Sequence, residues 1–172
     1  KSKYVPRPPE DVHVALKLLS THPKFDSSNV AIMGFSNGGS VTAMSAHFIP
    51  ETDTNGVTPK AYIMVYGGCS IASQGSMFFA NGTSPAVLFI AGEKDALVKA
   101  STCQEAGKNY QIKNGRTVVI PGAYHGFDSF KNVSFHHPKW GPVTMKHSND
   151  AVAISSKEVM DLLERTFSQD SF

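Results

Sequence analysis

The sequence predicts an α/β domain built on a mainly parallel sheet with helices on both faces. Three observations carry that prediction. Four short runs are apolar along most or all of their length: Val30–Phe35 (VAIMGF), Ala61–Tyr66 (AYIMVY), Ala86–Ala91 (AVLFIA) and Thr117–Ile120 (TVVI). Strands buried on both faces need such runs, whereas a strand with one wet face alternates. Segments with helical spacing lie between them, and strands alternating with helices form parallel sheets. The 172 residues suffice for one domain with a real core, and no repeat or low-complexity linker divides them, so residues 1–172 are expected to form a single domain.

The elements follow in order. A helix is expected from near Pro9, with Glu10 and Asp11 in its first turn and Val12, Leu16 and Leu19 on one face. His22-Pro23 ends it, and Val30–Phe35 follows as a strand. After Ser36, GGSVTAMSAH reads as a helix whose near face carries Gly39, Ala43 and Ala46, small enough to lie close against a sheet. The strand Ala61–Tyr66 leads into a loop rich in Gly and Ser, and the strand Ala86–Ala91 is followed by a helix over Gln104–Tyr110. Past Thr117–Ile120 comes an irregular stretch with Pro138 and Pro142. Asn149 then caps a last helix, in which Val152, Val159, Leu163 and Phe167 recur at helical spacing.

Composition narrows the partners. Sixteen Lys and Arg against fourteen Asp and Glu leave a net charge of +2, with no basic run. Phosphate binding needs clustered positive charge, so no nucleic-acid partner is expected. The longest apolar runs are far too short to cross a bilayer, so no membrane partner is expected either. A small molecule is the expected ligand. The chain starts at Lys1 with no signal peptide, so the sequence leaves its natural N-terminus and address open. His136-His137 reads as a loop pair whose side chains point apart, and no metal is expected. His13, His22 and His47 read as surface or helix-end residues, and the sequons at Asn81 and Asn132 are about what chance provides.

Three chemically active residues fall just past strand ends: Ser36, Asp95 in AGEKDALV and His125 in PGAYHGFD. In a parallel sheet those positions share the edge where ligands bind. A serine hydroxyl needs an imidazole to take its proton, and the imidazole needs a carboxylate to fix its tautomer. Gly34 and Gly38 flank Ser36, as a sharp strand-to-helix turn requires, since side chains at both places are expected to clash. The Asn37 backbone N–H, at the start of the next helix, would face a developing oxyanion. Glu93 and Asp128 compete with Asp95 for the acid's place. Phe35, Tyr124 and Phe127 are candidate pocket walls, with core packing the competing reading for the last two. Cys69 and Cys103 sit in no zinc-like spacing and are compatible with free thiols or a bridge. Neighbouring strands would bring both to the same edge, which favours a disulfide and, with it, the periplasm or exterior. Without one the cytoplasm is the expected compartment.

GFSNGG, GEKD and YHGFD, in that order, resemble the dienelactone hydrolase-like branch of the α/β-hydrolases, over about Val12 to Phe167. KFDSSNVAIMGFSNGG is similar to that family's helix–loop–strand approach to its nucleophile. The resemblance implies an α/β-hydrolase fold, with Ser36, Asp95 and His125 as nucleophile, acid and base. It implies a serine hydrolase that cleaves small-molecule carboxylic esters or lactones through an acyl-enzyme, with no cofactor. The dienelactone hydrolases that name the family carry cysteine where Ser36 stands, which points to general esters rather than lactones. Members are also longer at the N-terminus, where a loop supplies the second oxyanion donor. Only 35 residues precede Ser36, so the strand Val30–Phe35 is expected on an exposed apolar edge, a hazard natural proteins avoid. N-terminal strands of the same polypeptide, or a second chain, are expected to complete the sheet. The alternatives are a peptidase of prolyl-oligopeptidase type and a non-catalytic fragment or binding module of the same fold.

Overall fold

The computed structural model describes residues 9–48, 56–73, 84–108 and 114–168. The expected strands are all present: β1 (Ala31–Phe35), β2 (Ala61–Val65), β3 (Ala86–Gly92) and β4 (Gly115–Ile120). They form one sheet in the order β1-β2-β3-β4, every pair parallel, with Phe35 opposite Val65, Val65 opposite Ile90 and Ile90 opposite Val118. Each strand lies beside its predecessor, so the strand ends fall in one row.

Burial follows from position in that row. All of β2 and nearly all of β3 are buried, as their unbroken apolar runs require. At the edge of the sheet, β1 leaves Met33 41% and Phe35 44% exposed. One face is covered by α2 (Asn37–Phe48), α3 (Cys69–Ser73) and α4 (Ala100–Gly107), through Ala43, Ala46, Met64, Phe89, Cys103 and Ala106. The other face is covered by α5 (Asn149–Phe167), through Ile63, Val65, Leu88, Ile90, Val159 and Leu162. Helix α1 (Glu10–Ser20) packs beside α2 and closes a small cluster of Leu16, Val30 and Val57.

Several expectations are corrected. Along α1 the buried stripe runs through His13 and Leu16, while Leu19 is exposed; His13 is therefore buried rather than a surface residue. His22 is exposed, and the side chain of His47 lies outside the described residues. The loop after β2 contains the short helix α3, and α4 starts at Ala100, four residues before the expected Gln104. Tyr110 and the sequon at Asn81 lie outside the described residues. The irregular stretch holds an antiparallel hairpin, β5 (Val133–His137) and β6 (Gly141–Met145). Prolines argue against a central strand, but a two-stranded ribbon consists of edges, where Pro142 is tolerated. His136 and His137 accordingly lie in a strand, not a loop. The cap of α5 is Ser148, whose hydroxyl accepts from the Ala151 amide, rather than Asn149.

Candidate active site

Ser36 is placed by strand pairing carried one residue past β1. Its amide donates to Val65 O at 2.9 Å, and its own carbonyl accepts from Ser40 N in the first turn of α2. Between those bonds the chain turns sharply, with Ser36 at φ 51°, in the left-handed region. That conformation is costly outside glycine and lifts the side chain off the sheet. Gly34 is needed there, because a Cβ would land on the Gly38 carbonyl oxygen. Gly38 is not needed for that reason: a Cβ on it meets nothing within 4 Å, which corrects the expected mutual clash. It opens instead onto a groove of about 550 Å³ along β1, lined by Val12, Met33, Gly34 and Val41 among others. Gly67 carries the second constraint, since a Cβ there would land on the Ser36 carbonyl oxygen.

The strand-end rule brings the three expected groups together. Ser36 Oγ lies 2.8 Å from His125 Nε2, and His125 Nδ1 lies 2.8 Å from Asp95 Oδ2. The other oxygen of Asp95 accepts from the amides of Leu97 and Val98, each at 2.8 Å. Both side chains are shut from solvent, Asp95 at 0% and His125 at 5% exposure. Burying a carboxylate is costly unless it is paired and hydrogen-bonded, and this one is both. The two loops are stitched to each other, because Glu93 N donates to Ile120 O and Lys94 N to Ala123 O. The competing carboxylates are engaged elsewhere: Glu93 accepts from Gly122 N and Asp128 from the Tyr66 hydroxyl. Asn37 opens α2, so its N–H belongs to a first turn, whose amides have no partner within a helix.

Of the candidate walls, Phe35 and Phe127 line a cavity of about 320 Å³ with Met33, Val65, Asp128 and Val159. Phe127 is also a core residue. Tyr124 is outside that lining and lies under the Lys94 amine, 5.8 Å from its ring centroid. A larger cavity, about 780 Å³, opens at the other end of the strands by Lys60, Ala86 and Arg116.

Tyr66 escaped the sequence reading. Its ring edge meets the His125 imidazole with centroids 4.8 Å apart, and its hydroxyl donates to Asp128 at 2.6 Å. Burial, and then the bond to Asp128, push its phenol well above the ordinary tyrosine range. A signal existed, because Tyr66 ends AYIMVY just as Ser36 follows its own strand, but an aromatic residue closing an apolar run reads as core. Cys69 and Cys103 are joined in a disulfide that ties α3 to α4, their Cα atoms 4.7 Å apart and both side chains fully buried. Among the described residues no helix is long and apolar enough to cross a membrane, and no His, Cys, Asp and Glu side chains cluster as metal ligands do.

Comparison with known proteins places these features. A protein from Klebsiella pneumoniae subsp. pneumoniae, named as a candidate dienelactone hydrolase, superposes with a TM-score of 0.60 at 20% identity, over 91% of this chain and 61% of its own. The esterase Est2 of the Planctomycetes species Thermogutta terrifontis superposes with a TM-score of 0.61 at 16% identity, over 91% of this chain and 63% of its own. A puromycin hydrolase does so with a TM-score of 0.62 at 13% identity, over 93% of this chain and 25% of its own. At such identities the likeness is one of fold, the α/β-hydrolase fold, and this chain spans less than two thirds of each of those proteins. No curated protein matches the sequence. The model of the dienelactone hydrolase family matches residues 3–166, nearly the whole chain, and with the fold and the row of strand-end residues it places the protein: the chain belongs to the dienelactone hydrolase family.

Proposed function

We propose that this chain carries the catalytic centre of a serine hydrolase that cleaves carboxylic esters or lactones through an acyl-enzyme. The observation that carries the reading is the hydrogen-bonded series Ser36 Oγ, His125 Nε2 and Nδ1, and Asp95 Oδ2, with both links at 2.8 Å and the serine on a strained turn. Asp95 Oδ2 accepts a hydrogen bond from Nδ1–H, which keeps the proton on Nδ1 and leaves Nε2 as the acceptor for the Ser36 hydroxyl. His125 removes that proton as Ser36 Oγ attacks the substrate carbonyl. The oxyanion then lies against the Asn37 N–H. The imidazolium returns its proton to the leaving alcohol. A water activated by His125 then releases the acid and restores Ser36. None of these steps calls on a cofactor.

The second oxyanion donor and the rest of the pocket come, in this reading, from strands that pair along β1. They belong to the same polypeptide or to a second chain. Supporting it are the exposed apolar edge of β1 and the coverage of only 61% of the Klebsiella protein. The buried disulfide favours an oxidising compartment, such as the periplasm or exterior.

Turnover tests the reading. The full-length protein is expected to hydrolyse p-nitrophenyl acetate, to leave a prolyl-anilide intact, and to lose at least about 10³-fold in kcat on Ser36→Ala with its thermal midpoint kept. Cleavage of the anilide alone would point to the peptidase reading. Ester turnover that survives Ser36→Ala would remove Ser36 from the mechanism.

A further inference from the structure

Tyr66 takes no part in the steps above, yet it is the second point of backbone strain at this edge. Among the described residues other than glycine, only Ser36 and Tyr66 have positive φ, at 51° and 39°. They are neighbours: Phe35 pairs with Val65, so each of the two follows the last paired residue of its strand. A left-handed backbone is unfavourable for an aromatic residue and persists only where its surroundings over-determine it. Here they do. The Tyr66 amide donates to Ile90 O at 2.7 Å. Its ring stands edge-on to His125, and edge-on to Phe127 with centroids 5.2 Å apart. Its hydroxyl donates to Asp128 Oδ1.

We propose that Tyr66, anchored by Asp128, is a positioning residue that holds the His125 ring in line with Ser36. The bond from Nδ1 to Asp95 fixes one ring atom but leaves the imidazole free to tilt about that bond. The Tyr66 ring, packed against the imidazole, closes that freedom. The phenol's bond to Asp128 ties down the loop three residues past His125, as Lys94 N on Ala123 O ties it two residues before. Strain at Tyr66 is then the consequence of turning a strand-end side chain along the sheet edge towards the base. The inference rests on the reading of His125 as general base and adds a residue that touches neither substrate nor the transferred proton.

Substitutions in the full-length protein, assayed with p-nitrophenyl acetate, test it. Tyr66→Phe keeps ring and backbone and removes only the bond to Asp128. It is expected to lower kcat about 10-fold or more, since small misplacements of a catalytic group are costly, while KM stays within about 2-fold. Asp128→Ala should do the same, whereas Asp128→Asn, whose amide oxygen still accepts, should keep kcat within about 3-fold of wild type. The Tyr66→Phe, Asp128→Ala double variant should fall no further than either single one, because both remove the same bond. Titration with a fluorophosphonate counts folded sites, so that kcat is read per active molecule. Wild-type kcat in Tyr66→Phe with only the thermal midpoint lowered, or losses that multiply in the double variant, would overturn the proposal. A wild-type protein that neither turns over the ester nor takes the fluorophosphonate would remove the general base itself, and the positioning role with it.

Discussion

At the scale of single residues, hydrogen-bond partners separate Asp95, the acid of the proposed mechanism, from its rivals. Asp95 is fully buried and accepts from two amides and an imidazole, whereas Glu93 and Asp128 each accept one bond away from His125. The meeting of Ser36, Asp95 and His125 was legible because each is a polar residue just past an apolar run, and parallel strands bring such positions to one edge. Tyr66 and His13 were not, since an aromatic ring or an imidazole in an apolar setting gives no sign of which way it faces. Tyr62 and Tyr66 also set a stability limit. Burial raises both phenols, and Asp128 raises Tyr66 further. Above the ordinary tyrosine value of about 10, the unfolded chain loses these protons while the folded chain keeps them. The folded state then binds more protons, so stability is intact below that value and falls as pH rises through it, by up to about 1.4 kcal/mol per pH unit for each phenol. Urea midpoints should drop between about pH 9 and 11, with Tyr62 and Tyr66 ionising late by ultraviolet absorbance. Flat midpoints, with no late-ionising tyrosine, would contradict this.

At the scale of elements, what was legible depended on burial. Strands β2 and β3 announce themselves because both faces are covered, so no polar residue interrupts them. The hairpin β5–β6 hid because β5 is largely exposed and β6 contains Pro142, so neither alternation nor a clean apolar run marks it. Helix α3 spans five residues, shorter than two helical turns, and carries no periodicity to detect. The contact between β2 and the turn of α2 is likewise invisible in sequence, because Gly67 matters only through what approaches it. A Cβ at Gly67 would meet the Ser36 carbonyl oxygen, so Gly67→Ala must shift one backbone segment against the other. It is expected to cost about 1–3 kcal/mol in urea unfolding and to slow ester turnover through displacement of the Ser36 turn. Unchanged stability and turnover would show that the two segments are not held together as described.

At the scale of the whole molecule, the sheet gathers Ser36, Asp95 and His125 at one end and leaves Met33 and Phe35 exposed along the side of β1. The row of strand ends follows from parallel pairing in sequence order, which the apolar runs and intervening helices made legible. Among the described residues β1 ends the row, with Met33 and Phe35 exposed. Met33 lines both grooves that flank β1. If further strands and their helices cover that side, Met33→Lys buries an unpaired ammonium and should destabilise the full-length protein by about 1–3 kcal/mol in urea unfolding. A neutral effect would mean that the sheet ends at β1.

The proposed mechanism stands or falls on Ser36 as an activated nucleophile. The measurement that bears on it most directly is intact-mass spectrometry of the full-length protein before and after a fluorophosphonate, followed by peptide mapping. One adduct is expected, located on Ser36 and abolished by His125→Ala. A folded protein that takes no adduct, or takes it at another serine, would contradict it.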